Sequence, residues 1–186
     1  AGACTHWRAE YRAVVPRDTT HHNEGVCTRA AYIGSPASTL EYLHTRGCPW
    51  CPETLAVAAG NGHMALVQYL HEHGCPQGPI VLAAAVLCGR LDMVMYLHER
   101  GYPWRSTMLD EAASAGRLSL VQYLVEHGCP WSMDLLGVAA YSGGHEVVRY
   151  LLHEVVRRIH LGLDLWYLDS GAPAYYAAIG GHLEAL

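Results

Sequence analysis

An all-α solenoid of stacked helix-turn-helix units is the fold class this sequence predicts, and three observations carry it. A phrase of tyrosine, leucine, a few polar residues and Gly-Cys-Pro-Trp, or a close variant, returns every 27 residues, with its tyrosines at Tyr42, Tyr69, Tyr96, Tyr123 and Tyr150. Between these phrases apolar residues recur at spacings of three and four and never alternate, which is helical and not strand patterning. Composition allows a core, since 51% of the 186 residues are hydrophobic and 16% charged. One such unit cannot bury its apolar face alone, so copies stack.

Each element of the copy follows from its column of equivalents. Ala31, Ala58, Ala85, Ala112 and Ala139 share one column, and Thr28, Leu55, Leu82, Leu109 and Leu136 lie one turn earlier on the same face. They define a short first helix whose alanines mark a close approach of two backbones. Gly62, Gly89, Gly116 and Gly143, with Ser35 in the first copy, then predict a tight turn. A second, amphipathic helix follows, with stripes such as Met64, Leu66, Val67 and Leu70 inside and Gln68, Glu72 and His73 outside. Gly47, Gly74, Gly101 and Gly128 suit a left-handed C-cap, and Pro49, Pro76, Pro103 and Pro130 forbid continuation.

Taken together, Thr54-Leu55-Ala56-Val57-Ala58-Ala59-Gly60-Asn61-Gly62-His63, then Leu66-Val67-Gln68-Tyr69-Leu70 and Gly74, resemble the ankyrin repeat. The resemblance covers about residues 25 to 154, with a partial copy over Ala177 to Leu186. The copies are shorter than the ankyrin unit of about 33 residues. The missing length falls between Gly-Cys-Pro-Trp and the next first helix, so these resemble the short divergent type without β-hairpin fingers. The expected organisation is an irregular segment over 1–24 and an array over 25–186. Its repeats are 25–51, 52–78, 79–105, 106–132, 133–172 with an insertion, and a partial copy over 173–186. After Tyr150 the Gly-Cys-Pro turn is lost and the next alanine pair arrives late, at Ala177-Ala178. Either a longer second helix with a loop or a decayed repeat satisfies that pattern.

Charge and composition exclude several functions. A net charge of -5 and the absence of lysine argue against a nucleic-acid surface, a Schiff base or a P-loop. No apolar run reaches the roughly 18 residues of a spanning helix, and the N-terminal residues lack the order of a signal peptide. Seven cysteines, an odd number, read as reduced thiols, and the expected setting is intracellular and cytoplasmic. The chain opens on Ala1 and stops at Leu186 in mid-pattern, so a fragment of a longer protein is the expectation.

Three constellations invite chemistry. Cys48-Pro-Trp-Cys51 has redox spacing but lacks a strand-to-helix setting, and the fourth position becomes Gly78, Arg105 and Ser132 in other copies. His71-Glu72-His73 with Cys75 suggests zinc, yet the histidines lie two apart on a helix, and the column His44, His71, His98 continues as Val125 and Leu152. Trp50, Trp104 and Trp131 read as cover for neighbouring turns before they read as a binding ridge. No catalytic group, cofactor or metal is expected.

The resemblance implies a non-enzymatic scaffold or adaptor for a protein partner of unidentified kind. The alternative is a structural subunit held permanently in a larger complex. Nucleic-acid binding and membrane insertion are not expected. The variable columns Val26, Glu53, Ile80, Thr107, Asp134 and Ile33, Gly60, Leu87, Ser114, Tyr141 place the partner on the concave first-helix face, the second column being read as exposed. Ile80, Leu87, Asp110 and Tyr141 are the expected contacts, with Leu87 and Tyr141 as anchors.

Overall fold

The computed structural model describes residues 25–132, 134–142 and 144–160. Among them are ten helices and no strand: α1 (Val26–Tyr32), α2 (Ala37–Thr45), α3 (Pro52–Asn61), α4 (Met64–Glu72), α5 (Pro79–Cys88), α6 (Leu91–Glu99), α7 (Met108–Ser114), α8 (Leu118–Glu126), α9 (Leu135–Tyr141) and α10 (His145–His160). They form five helix pairs in an all-α repeat solenoid. The expectations for 1–24, for Gly143, for the stretch beyond His160 and for the partial copy at 173–186 lie outside the described residues.

Two compact units make up the chain, Ala1–Arg105 and Ser106–Leu186. In the first, α3 packs between α1 and α5, and α2 meets α4; in the second, α7 packs on α9, and α8 on α10. Ala31, Ala58 and Ala85 in one unit and Ala112 and Ala139 in the other are fully buried, as a close backbone approach requires. Leu55, Leu82, Leu109 and Leu136 fill the adjoining column, while Leu70, Leu97 and Leu124 close the core from the second helices. Where the first copy has Thr28 in place of leucine, its hydroxyl sits 2.9 Å from Thr54 Oγ1, so the buried polar group is partnered.

The turns explain the glycine columns. Gly62, Gly89 and Gly116 have φ of 80°, 64° and 65°, a region that L side chains disfavour. Just beyond them the N–H groups of His63, Arg90 and Arg117 reach back to the carbonyls of Ala58, Ala85 and Ala112, so the alanine column also supplies the capping acceptors. The first copy corrects the reading of Ser35. Its left-handed residue is Gly34, φ 71°, because the glycine there stands one residue earlier and a serine would be strained.

Second helices end as their sequence predicts. Gly47, Gly74, Gly101 and Gly128 have φ between 75° and 87°. The N–H of the next residue donates to Leu43, Leu70, Leu97 or Leu124 at 2.9 to 3.2 Å, satisfying a carbonyl that the helix leaves orphaned. Residues 49–54 and 76–81 contain no strand, and Pro52 and Pro79 enter the next first helix directly. The finger is therefore reduced to a turn. In the fifth copy Val155, Val156 and Arg157 replace Gly-Cys-Pro, no glycine turn falls there, and α10 runs on to His160. Of the two readings for this region, the longer second helix is the one observed up to that residue.

Candidate functional site

A packed solenoid leaves little of its first helices free. From Thr54 to Gly60 on α3 and from Val81 to Val86 on α5 every residue is buried. Ile80 and Leu87 are half-buried on α5, seven residues apart and so about two turns along one face. In the second unit Asp110 is half-buried on α7, and Tyr141, the last residue of α9, is 96% exposed. The column read as exposed is so at Ile33, Ser114 and Tyr141, but not at Gly60, which is buried because α3 is enclosed between α1 and α5. Leu87 is intermediate. Glycine in a variable column thus signalled close packing, not openness.

Asp110 has a defined environment. Its Oδ1 accepts a hydrogen bond from Ser132 Oγ at 2.6 Å. Burial nevertheless raises its pKa above the ordinary carboxylate value, with the Asp134 charge adding to the rise and the Ser132 bond opposing it. A half-buried carboxylate of this kind favours a donor or cation brought by a partner.

The outer side carries an aromatic system that only part of the sequence reading anticipated. His44 stacks on Trp50 with ring centroids 3.9 Å apart, and His98 on Trp104 at 4.3 Å. Trp50 meets Tyr69 of the next copy edge-on at 6.3 Å, and the guanidinium of Arg158 lies 4.2 Å from the Trp131 ring. The tryptophans are therefore structural cover, and the histidine column is packing. The second copy differs. Gln77 stands in the tryptophan column there, and His71 faces Tyr102, ring centroids 6.2 Å apart, where other copies carry Cys48, Cys75 and Cys129.

Four residues after the first four repeated tyrosines stand Arg46, His73, Arg100 and His127, each at the C-cap of its helix. The two guanidiniums lie over Tyr42 and Tyr96 at 5.0 and 4.9 Å, and the two imidazoles stack on Tyr69 and Tyr123 at 4.0 and 3.9 Å. Spacing of four on a helix makes these contacts, and the carbonyl end of the helix favours a cation there. A column holding Arg or His in the four copies with a Gly turn was the available signal.

The six described cysteines are free thiols. Burial pushes Cys27, Cys75 and Cys129 up to about 12, which opposes thiolate formation. Cys51 Sγ joins a network with two hydroxyls, 3.3 Å from Thr54 Oγ1 and 3.6 Å from Thr28 Oγ1. A disulfide reagent should thus react slowly with Cys27, Cys75 and Cys129 of the folded chain, and titration in denaturant without reductant should count all seven cysteines of the sequence. Five or fewer would show an oxidised framework. His71 and His73 turn to different rings, Tyr102 and Tyr69, and among the described residues no group of three or more His, Cys, Asp or Glu is arranged to hold a metal ion. No described helix is long and apolar enough to cross a membrane.

A protein-family model described as ankyrin repeats (3 copies) matches residues 55–134 and 82–162. No curated protein matches the chain.

Proposed function

Because the chain belongs to the ankyrin-repeat family, whose members generally mediate protein–protein interaction and are typically non-enzymatic, we propose that it is a scaffold or adaptor that binds a protein partner through its first-helix face. The observation that supports this reading most is the exposure of Tyr141. Five large hydrophobic residues are exposed among the described ones, and three of them, Val26, Ile33 and Tyr141, belong to the two variable first-helix columns. Aromatic side chains left in water at such positions gain most from being covered. Asp110 supplies a polar point of attachment, and Ile80 and Leu87 offer partly covered apolar contacts on α5.

Affinity capture from the source cells, followed by mass spectrometry, tests the reading with wild type beside Tyr141→Ser and the pair Leu87→Ser with Tyr141→Ser. Tyr141→Ser should leave stability within about 0.5 kcal/mol, as at surface sites, and weaken capture. Leu87→Ser should cost more, since the side chain is half-buried. A stable Tyr141→Ser protein that recovers the same partners in the same yield refutes the first-helix face. Light scattering that finds only an obligate assembly would favour the permanent subunit instead.

A further inference from the structure

The outward faces of α4, α6 and α8 are alike, and α10 departs from them in one direction. At three outward positions of α10, each about one turn from the next, stand His145, Arg149 and His153. Their equivalents are Met64, Leu91 and Leu118 for His145; Gln68, Met95 and Gln122 for Arg149; and Glu72, Glu99 and Glu126 for His153. The first copy has Ala37, Glu41 and Thr45 there. A neutral or acidic stripe in four copies is a basic and imidazole stripe in the fifth. All three side chains are exposed, and spacing of four keeps them on one side of the helix.

Beside this stripe the surface of the second unit is concave. A groove of about 390 Å³ lies between α8 and α10, lined by Leu118, Glu146, Arg149, Tyr150 and His153. Leu118 and Tyr150 are half-buried and make an apolar wall. Arg157 and Arg158 are both engaged by Glu154, whereas Arg149 has no hydrogen bond or ion pair among the described residues. An unpaired guanidinium beside an apolar wall is suited to a carboxylate, which it can hold through two parallel hydrogen bonds.

We propose that this groove docks a short protein segment in which one aliphatic or aromatic side chain is flanked by carboxylates. The apolar side chain covers Leu118 and Tyr150, one carboxylate pairs with Arg149, and His145 and His153 provide ring N–H donors at the two ends. The stripe spans roughly 12 Å at the rise of an α-helix, the length of about four extended residues. Glu146 disfavours a second acidic group at its own end, so the strongest acidic contact lies toward Arg149 and His153. The surface is on the second helices, separate from the first-helix face, and does not depend on that face being used.

The test uses the whole chain and a fluorescent peptide with a central tryptophan flanked on each side by aspartates. Anisotropy should show saturable binding that weakens with added salt, and amide resonances should shift at Leu118, Arg149, Tyr150 and His153. Arg149→Glu with His153→Glu, which makes the stripe acidic, should weaken binding about 10-fold or more with unchanged circular dichroism, since both residues are exposed. The proposal is overturned by no binding, by equal binding of a lysine-flanked peptide, by an unaffected double variant, or by shifts centred on α7 and α9. Attachment to vesicles containing phosphatidylserine without binding of the peptide would overturn it too, in favour of a lipid surface.

Discussion

Leu97→Ala is expected to cost about 2–5 kcal/mol, against a total stability of about 5–15 kcal/mol for a domain of ordinary size. The side chain is fully buried, and removing most of it leaves a cavity that α6 cannot collapse without shifting its neighbours. Its own carbonyl also accepts the N–H of Tyr102 at 3.2 Å, so the helix end depends on the same residue staying in place. Urea denaturation should show a lower midpoint with little change in slope. Because each copy is held by its neighbours, the loss should spread beyond α6. A cost below about 1 kcal/mol would mean that the leucine column is not core.

Glu154→Ala should be the next most damaging. This carboxylate is buried, yet it receives Arg157 at 2.8 and 2.7 Å and Arg158 at 3.2 Å, and Arg158 in turn covers Trp131. Removing it strands two guanidiniums, but Arg157 is 60% exposed and can rehydrate, so the loss should be about 1–3 kcal/mol and not that of a fully buried pair. Hydrogen bonding from Arg157 chiefly holds the Glu154 pKa below its ordinary value, with Arg158 helping and burial opposing. The contribution is then complete above the ordinary glutamate range and is lost as pH falls through the depressed folded-state value. Protonated Glu154 has lost the charge that glutamine lacks, so wild type and Glu154→Gln should converge in stability under acid, while Asp110, whose pKa is raised, acts in the opposite sense equally in both. Parallel acid titrations of the two proteins that never converge would remove Glu154 as the cause.

Those two expectations rest on columns of different legibility. Leu97 could be assigned to the core from the sequence, because Leu70, Leu97 and Leu124 repeat one solution to one packing problem. The glycine caps were equally legible, since left-handed backbone narrows the choice to one residue type. Glu154 was not, because the fifth copy has no sibling with its turn missing, and a carboxylate in a column of Arg and His has no periodic explanation. At the candidate site, the exposure of Tyr141 could be read from its column, whereas the burial of Gly60 could not. Variability has two causes, solvent exposure and the geometry of an enclosed helix, and a column of letters does not separate them. The aromatic stacks were hidden for a related reason, since they join residues of different columns.

The joint departure at Gln77 and Tyr102 bears on how the copies of this array depend on one another. Where the tryptophan column loses its indole, His71 turns to a ring supplied by the following copy, in a place that otherwise holds a cysteine. Two departures from the common pattern, 25 positions apart, thus belong to a single junction. Separating the two units would set Gln77 and His71 beside a copy with a small thiol in that place, as Cys48, Cys75 and Cys129 are elsewhere. The contact at that junction is kept only where the second and third copies stay adjacent, so the two act as one structural unit where the period alone would count two.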